Sequence, residues 1–351
     1  MILLYIFSVV FIVTPFFPAT GLTHWFYRTA DFVRLQSIAI ELLLIILLLI
    51  FGDLDSFLHI ALLTGLAGAM IYQLFKVYPY TKLNKQREYE GSSDGMVSIL
   101  GANVLQPNTN YKGLLDIIDH YDPDIVLTME SNKEWEEGLS SIEETYPYFE
   151  KVPLDNLYGM HVYSKKKLLN LRSRFQVEDD VPSIFFNYSI NDSTNIFFAC
   201  LHPAPPSPTE NETSKEQDAE LMITGKYIRT LEKQPAVVCG DMNDVVWSRT
   251  TRLFKKMTNM IDPRVGRGFF PTYHAGYRFM RFPLDHLFHT EDLYVGRMER
   301  SAYFDSDHFA MYYEIHHKTG IAADTRGHLD NEEKEEVEEK IDEGEESANE
   351  N

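Results

Sequence analysis

Eight polar side chains standing at the ends of apolar runs define the chemistry open to this chain: Asn103, Glu130, His202, Asp241, Asn243, Asp285, Asp307 and His308. Glu130 follows Ile125-Val126-Leu127, and Asp241 follows Ala236-Val237-Val238-Cys239. Short β-rich apolar runs of this kind read as buried strands, which places each acid at a strand end. Strand ends that deliver carboxylates, amides and imidazoles to one rim can assemble a site for a divalent cation and a phosphate ester. Hard cations such as Mg²⁺ or Mn²⁺ take oxygen ligands and keep positions open for water and phosphate. The expected chemistry is metal-assisted phosphate ester hydrolysis.

Taken singly, each residue also has a purely structural use. Asn103 suits a turn, Glu130 suits the positive end of a helix dipole, and Asp241 suits a helix cap. His202 before Pro203 fits a hydrogen-bonded loop, and Asp307 and His308 fit ordinary strand entry. The case for chemistry rests on their occurring together.

The elements that must position them alternate between strand and helix. Strands are expected over Met96 to Leu105, Pro123 to Glu130, Tyr158 to Ser164, Ser183 to Ile190, Thr194 to Leu201, up to Asp241, Leu284 to Phe288 and Phe309 to Ile315. Helices are expected over Tyr111 to Tyr121, with Leu114, Leu115, Ile117 and Ile118 inward, over Asn132 to Glu144, and over Thr213 to Glu232. Asn191-Asp192-Ser193 supplies a tight turn between two strands. Strands outnumber helices and include hairpins, so two packed mixed sheets flanked by helices fit better than one parallel sheet.

The ordered set of motifs resembles the endonuclease/exonuclease/phosphatase superfamily, with its deoxyribonuclease-I-like fold. The motifs stand as Gly101-Ala102-Asn103-Val104, Asp122-Pro123-Asp124-Ile125 leading to Met129-Glu130, and Leu201-His202-Pro203. Gly240-Asp241-Met242-Asn243-Asp244, Pro271-Thr272-Tyr273, Leu284-Asp285-His286 and Ser306-Asp307-His308 follow. The resemblance implies an α/β fold, a four-layer α-β-β-α sandwich of two mixed sheets. It implies Glu130 as main metal ligand, with Asn103 and Asp307 near the same ion, which would be Mg²⁺ or Mn²⁺. It implies Asp241 and Asn243 around the attacking water, His308 donating to phosphate with Asp285 behind it, and His202 as a second donor. Met129 stands where the family usually has Gln. For the further catalytic group that the family often takes from its middle region, Tyr158, His161 and Tyr163 are the options, and the sequence does not choose among them. Arg278 and Arg281, in a loop from Val265 to Pro283 with Phe269, Phe270, Tyr273 and Tyr277, are candidates for gripping a substrate phosphate beside stacking rings. The substrate stays open between nucleic acid and phospholipid or inositol phosphate. A non-catalytic binding protein of the same fold is the third reading, and nothing in the sequence calls for an obligate protein partner.

Outside that region the composition changes. Ile2 to Phe17 and Phe57 to Phe75 carry no charge, and Leu35 to Phe51 carries only Glu41. Each approaches the ~20 residues that cross a bilayer as helix. Residues 1–78 therefore read as a membrane segment of three spans, with two spans as the alternative. The first stretch lacks the basic flank of a cleaved signal peptide. Glu41 is expected near a span end or against another helix. Arg28 and Arg34 lie in the first loop, Asp53 and Asp55 in the second, and Lys76, Lys82, Lys85 and Arg87 after the third span. The positive-inside rule then puts the large domain in the cytoplasm of a multi-pass cell-membrane protein. A linker is expected over 79–95, polar from Asn84 to Asp94, then the catalytic domain at 96–318. The formal charge is −20, and about half lies beyond Asp324. That composition predicts an acidic disordered tail at 319–351. Cys200 and Cys239 stand in apolar runs and read as buried thiols.

Overall fold

The structure is a computed structural model that describes residues 1–53, 55–85, 89 and 91–350. Arg87 lies outside the described residues. Eleven strands among the described residues form two sheets. The first contains β1 (Ser93–Asn103), β2 (Ile125–Met129), β3 (Tyr148–Val152), β4 (Met160–Ser164), β10 (Leu293–Arg300) and β11 (Met311–Lys318), in the order β10-β11-β1-β2-β4-β3. The second contains β5 (Leu169–Phe175), β6 (Pro182–Ser189), β7 (Asn195–Leu201), β8 (Ala236–Asp241) and β9 (Asp285–His289), in sequence order. Both are mixed: β1–β2 and β7–β8 are parallel, and the other pairs antiparallel.

The central strands are apolar on both faces because both faces are covered. Between the sheets, Val97, Ile99, Leu127, Met129, Phe186, Phe198, Val237 and Leu287 form one core. The outer face of the first sheet packs on the helices Tyr111–Tyr121 and Lys133–Gly138, through Leu114, Ile117, Ile118 and Trp135. The second packs on the helices Lys215–Thr230 and Arg249–Thr258, through Leu221, Met222, Leu253 and Phe254. These are the four layers of an α-β-β-α sandwich. In the helix 111–121 the spacing of apolar residues dictates the buried side. Asn110 caps its start by accepting from Gly113 N at 2.9 Å, and Asp122, at φ 44°, ends it before Pro123.

Ahead of the sandwich come α1 (Ile2–Val13), α2 (Trp25–Phe32), α3 (Arg34–Phe51) and α4 (Phe57–Val77). Three segments are long and apolar enough to cross a membrane: Ile2–Thr20, Arg34–Phe51 and Phe57–Tyr80. Glu41 faces another helix, one of the two expected placements, and its Oε1 accepts from Gln73 Nε2 at 2.7 Å. The first loop, however, is not a simple connection. It contains α2, whose Arg28 is buried in the sandwich with Nη1 3.2 Å from Asp218 and Nη2 3.0 Å from Asp244. Arg34 pairs with Asp31, and Trp247 Nε1 donates to Asp31 O at 2.8 Å.

Two boundary expectations are corrected. The linker is partly docked: Tyr80 is buried, donates to Val246 O at 3.0 Å, and the domain begins with β1 at Ser93. The tail is not a solvated coil along its length, because Asn331–Glu350 forms a helix, α9. Val337 and Ile341 recur four residues apart, the spacing of one helix face, and both enter the second outer core. Lys340 reaches Asp218 at 2.6 Å, while Arg249 and Lys256 pair with Glu336 and Glu333. Net charge concealed those few inward positions. Burying two such side chains is worth roughly 1.5–3 kcal/mol each. Deleting residues 331–351 should therefore lower the thermal midpoint of the sandwich by several degrees in a melting scan. A solvated tail would leave it unchanged.

Candidate active site

Strand register assembles the site from both sheets. Asn103 ends β1 opposite Met129 at the end of β2, so Glu130 emerges beside it. Leu201 pairs with Gly240 and Asp241 with Asp285, which sets His202, Asp241 and Asp285 side by side on the second sheet. Gly240 permits this approach: at φ 137° its added Cβ would lie 1.9 Å from Leu201 O, so no side chain fits.

The two rims meet in one hydrogen-bonded line. Asn103 Nδ2 donates to Glu130 Oε1 at 2.7 Å and to Asp241 Oδ2 at 3.1 Å. His308 Nε2 stands 3.3 Å from the same Asp241 oxygen, and its Nδ1 donates to Asp285 Oδ2 at 2.9 Å. Asn243 N donates to Asp241 Oδ1 at 3.0 Å, and Asn243 Nδ2 to Pro203 O at 3.1 Å. Ser306 joins the ends by donating to Asn103 O at 2.8 Å and accepting from His308 N at 3.0 Å. All eight residues from the sequence thus lie in or beside one cluster.

Burial and charge set the protonation states. Burial by itself would lower the His308 pKa, but Asp241 and Asp285 on either side outweigh it and raise it to about 10. Burial would raise Asp241, yet the imidazoles of His308 and His202 hold it below the usual carboxylate range. Glu130 is raised to about 7, first by burial and further by Asp307, against the lowering donation from Asn103. His202 is lowered to about 4, chiefly by burial, and is neutral near pH 7.

The donor set fits a hard cation. Asp307 Oδ1 is buried without a hydrogen-bond partner, and Glu130 accepts only from Asn103 Nδ2 and, at 3.3 Å, from Gln106 N. Both carboxylates line the same cleft, an oxygen-rich pair beside the Asn103 amide. Asp241, Asp285 and His308 also offer ligand atoms within 4.8 Å of one another. There, however, both imidazole nitrogens already face carboxylates, so that trio serves better as an ion-paired relay.

The cleft above the cluster has a volume of about 460 Å³. Of the three options from the middle region, Tyr158 lines it, 5.5 Å ring to ring from His202, and its hydroxyl donates to Glu210. His161 and Tyr163 are buried in β4 against each other at 3.2 Å and do not reach it. Arg278 and Arg281 do not line it either. Arg278 is exposed, while Arg281 donates to Ala275 O at 2.8 Å and lies over the Phe309 ring. Met129 does have a polar contact, since its sulfur accepts from Asp241 N at 3.1 Å. Phe32, Glu210 and Thr272 were not anticipated. Thr272 Oγ1 accepts from Asp285 N at 3.3 Å, and the Pro-Thr-Tyr motif was its only sequence signal. For Phe32 and Glu210 there was none, because both arrive through long-range packing.

Known proteins share this fold. The sequence model of the Endonuclease/Exonuclease/phosphatase family matches residues 99–308. No curated protein sequence gives a significant match. Among solved structures, D. rerio TDP2 complexed with single strand DNA product is similar at 16% identity and a TM-score of 0.54, covering 63% of this chain and 99% of its own. An endonuclease/exonuclease/phosphatase from Bacteroides vulgatus is similar at 16% identity and a TM-score of 0.53, covering 64% and 100%. The human Nocturnin catalytic domain with bound sulfate anion is similar at 16% identity and a TM-score of 0.52, covering 66% and 97%. The family match spans more than half the chain and takes in all eight clustered residues, so this protein belongs to the endonuclease/exonuclease/phosphatase family of metal-dependent phosphoester hydrolases.

Proposed function

We propose that the chain is a membrane-tethered, divalent-metal-dependent phosphodiesterase. The observation that carries this is the line Glu130–Asn103–Asp241–His308–Asp285, which sets a carboxylate base against an imidazolium beside the cation-ready pair Glu130 and Asp307. Mg²⁺ or Mn²⁺ held by Glu130, Asp307 and Asn103 would polarise the phosphate and offset its charge.

The protein's own groups do the rest. Asp241 accepts the proton of the attacking water while Asn243 keeps its carboxylate aimed. His308 begins with Nε2 toward Asp241 and can turn its donation to a non-bridging phosphate oxygen as substrate arrives. Losing that donor makes Asp241 more basic at the moment it must take a proton. His202 is neutral and supplies a second donor. A P–O bond to water forms as the ester P–O bond breaks, and the leaving oxygen takes its proton from solvent. The TDP2 structure with single strand DNA product is compatible with a nucleic acid diester as one substrate class to assay.

On this reading the chain is a multi-pass cell-membrane protein with the sandwich in the cytoplasm, supported by three helices long and apolar enough to cross a membrane and by the positive-inside rule. Arg28 and Arg34 are matched by carboxylates in the folded protein. Insertion precedes that folding, however, so their charges still count. The pairing of Arg28 with Asp218 and Asp244 supports a first loop on the same side as the sandwich.

Purified full-length protein should hydrolyse model diesters only with Mg²⁺ or Mn²⁺ added. Asp241→Asn should keep metal binding and lose about 10²–10⁴-fold in turnover, the usual worth of a general base. Glu130→Ala should instead weaken metal affinity, so that excess Mn²⁺ restores part of the rate. A reversed pattern would exchange the two roles.

The pH profile tests Asp285. The His308 cation is complete below its raised pKa of about 10 and is lost as pH rises through it. Asp285→Asn removes one of the two carboxylates that raise it, so the alkaline fall in rate should move to lower pH. An unmoved alkaline limb would show that Asp285 does not act through the imidazole. For topology, reporters fused after Asp55 and at the C-terminus should read on opposite faces, outside and inside. The same side for both would remove one span.

A further inference from the structure

Two loops beside the cleft are tied to the ends of the N-terminal helices. Helix α3 has 18 residues, and at ~1.5 Å per residue it spans roughly 27 Å. That barely matches a hydrocarbon core of ~30 Å, so its first turn sits at the headgroup boundary. Gln36 in that turn donates through Nε2 to Phe279 O at 3.0 Å. The loop carrying Phe279 is thereby held at the same depth. Its side chains point outward although they are apolar or aromatic: Phe279 is 85% exposed, Tyr277 63% and Met280 46%.

The other rim of the cleft is tied in the same way. Trp25 N donates to Glu212 O at 3.0 Å, and Ser214 N donates to Thr23 O at 2.9 Å. These bonds join the start of α2 to the loop whose Pro206, Thr209 and Glu210 line the cleft. Leu22 and Phe26 are exposed beside that junction. Between the rims, Phe32 at the end of α2 forms part of the wall, with Tyr273 and Leu284, above Glu130, Asp307 and His308. Exposed aromatic residues at span ends are the side chains that settle in the headgroup layer.

Resting on the phosphoesterase reading above, we infer that the site takes its phosphate ester from a membrane lipid, with the loop 276–281 seated in the headgroup layer beside the cleft. A lipid headgroup would enter between Phe32 and Tyr273, its glycerol and first acyl carbons against the apolar wall and its phosphate at the cluster. Charge favours this over a nucleic acid. The formal charge of −20 opposes a long polyanion, and Arg278 and Arg281 do not line the cleft.

The experiment uses the full chain reconstituted with Mn²⁺, with four substrates. These are vesicles of mixed phosphatidylethanolamine, phosphatidylglycerol and phosphatidylcholine, soluble glycerophosphoethanolamine, single-stranded DNA and bis(p-nitrophenyl) phosphate. The vesicle lipids should be hydrolysed at least ten-fold faster than the soluble glycerophosphodiester. The double variant Phe279→Ser, Met280→Ser alters only exposed side chains. It should lower the vesicle rate at least ten-fold, through a higher apparent KM for lipid, and leave bis(p-nitrophenyl) phosphate hydrolysis unchanged. Three results would overturn the inference while sparing the phosphoesterase reading. They are DNA cleaved with lipids untouched, soluble and vesicle diesters hydrolysed alike, or equal losses on every substrate in the double variant. No hydrolysis of any of the four would overturn both.

Discussion

Four carboxylates, those of Glu130, Asp241, Asp285 and Asp307, are gathered around a single imidazolium at the rim where the two sheets meet. Everything near the site follows from accommodating that charge. Buried like charges cannot all ionise without cations or donors among them. His308 answers for two of them, standing 3.3 Å from Asp241 and 2.9 Å from Asp285. Asn103 spreads one amide between Glu130 and Asp241. Compensation is incomplete: burial raises the pKa of Glu130 toward neutrality and also raises that of Asp285, while Asp307 and Asp285 each keep one oxygen without a partner among the described residues. The same imbalance that would strain an inert core suits a site that would receive a divalent cation.

A second charge problem couples the site to the N-terminal helices. Arg28 belongs to the first loop of the membrane segment, yet its guanidinium lies between Asp218 and Asp244, and those carboxylates hold it more firmly protonated than an ordinary arginine against the cost of its burial. Asp244 directly follows Asn243 of the catalytic loop, and its carbonyl accepts from His286 Nε2 at 2.8 Å. Lys340 of α9 meets the same Asp218. One buried network therefore joins α2, the loop after β8 and the C-terminal helix. Removing one partner of such a network leaves an uncompensated charge, which is far costlier than losing a surface pair. The sandwich and the N-terminal helices are, in this sense, one folded unit.

The sequence announced the parts whose signal is local. The helix 111–121 shows its buried face in its spacing, and β2 and β8 show continuous apolar runs. Asn103, Glu130, His202, Asp241 and Asp285 were legible because they stand at the ends of such runs, and Asn243, Asp307 and His308 because they fall in motifs of the resembled family. The edge strands β5 and β10 were not, since edge strands carry charges and alternate poorly, as Leu-Asn-Leu-Arg-Ser-Arg-Phe shows. The helix 249–258 was hidden because three of its buried positions, Thr250, Thr251 and Thr258, are polar, and α9 because it has few inward residues among many charged ones. Arg281 misled because composition cannot reveal direction: its guanidinium is spent on Ala275 O and the Phe309 ring. Phe32 was invisible because only tertiary contact brings α2 to the cleft.

Backbone conformation shows how firmly the site is held. Leu105, Glu130, Leu157 and Asn243, which all line the cleft, adopt positive φ, at 58°, 59°, 72° and 50°, conformations that side chains other than glycine enter at a cost of ~1–3 kcal/mol each. Four such residues around one cleft persist only because neighbours over-determine them. Asn103 Oδ1 accepts from Leu105 N at 3.0 Å, and Ser131 N, just past Glu130, donates to Gly159 O at 2.9 Å. Gln217 donates to both Met242 O and Asn243 O, at 2.8 and 2.9 Å. Gln217 lies on the same helix as Asp218, the partner of Arg28, so the helix that receives α2 also pins the turn after Asp241. Strain concentrated at the cleft and held by that helix keeps Asp241 and Glu130 in fixed relation. A loose cluster of the same residues would bind a cation in many geometries and align an attacking water in few.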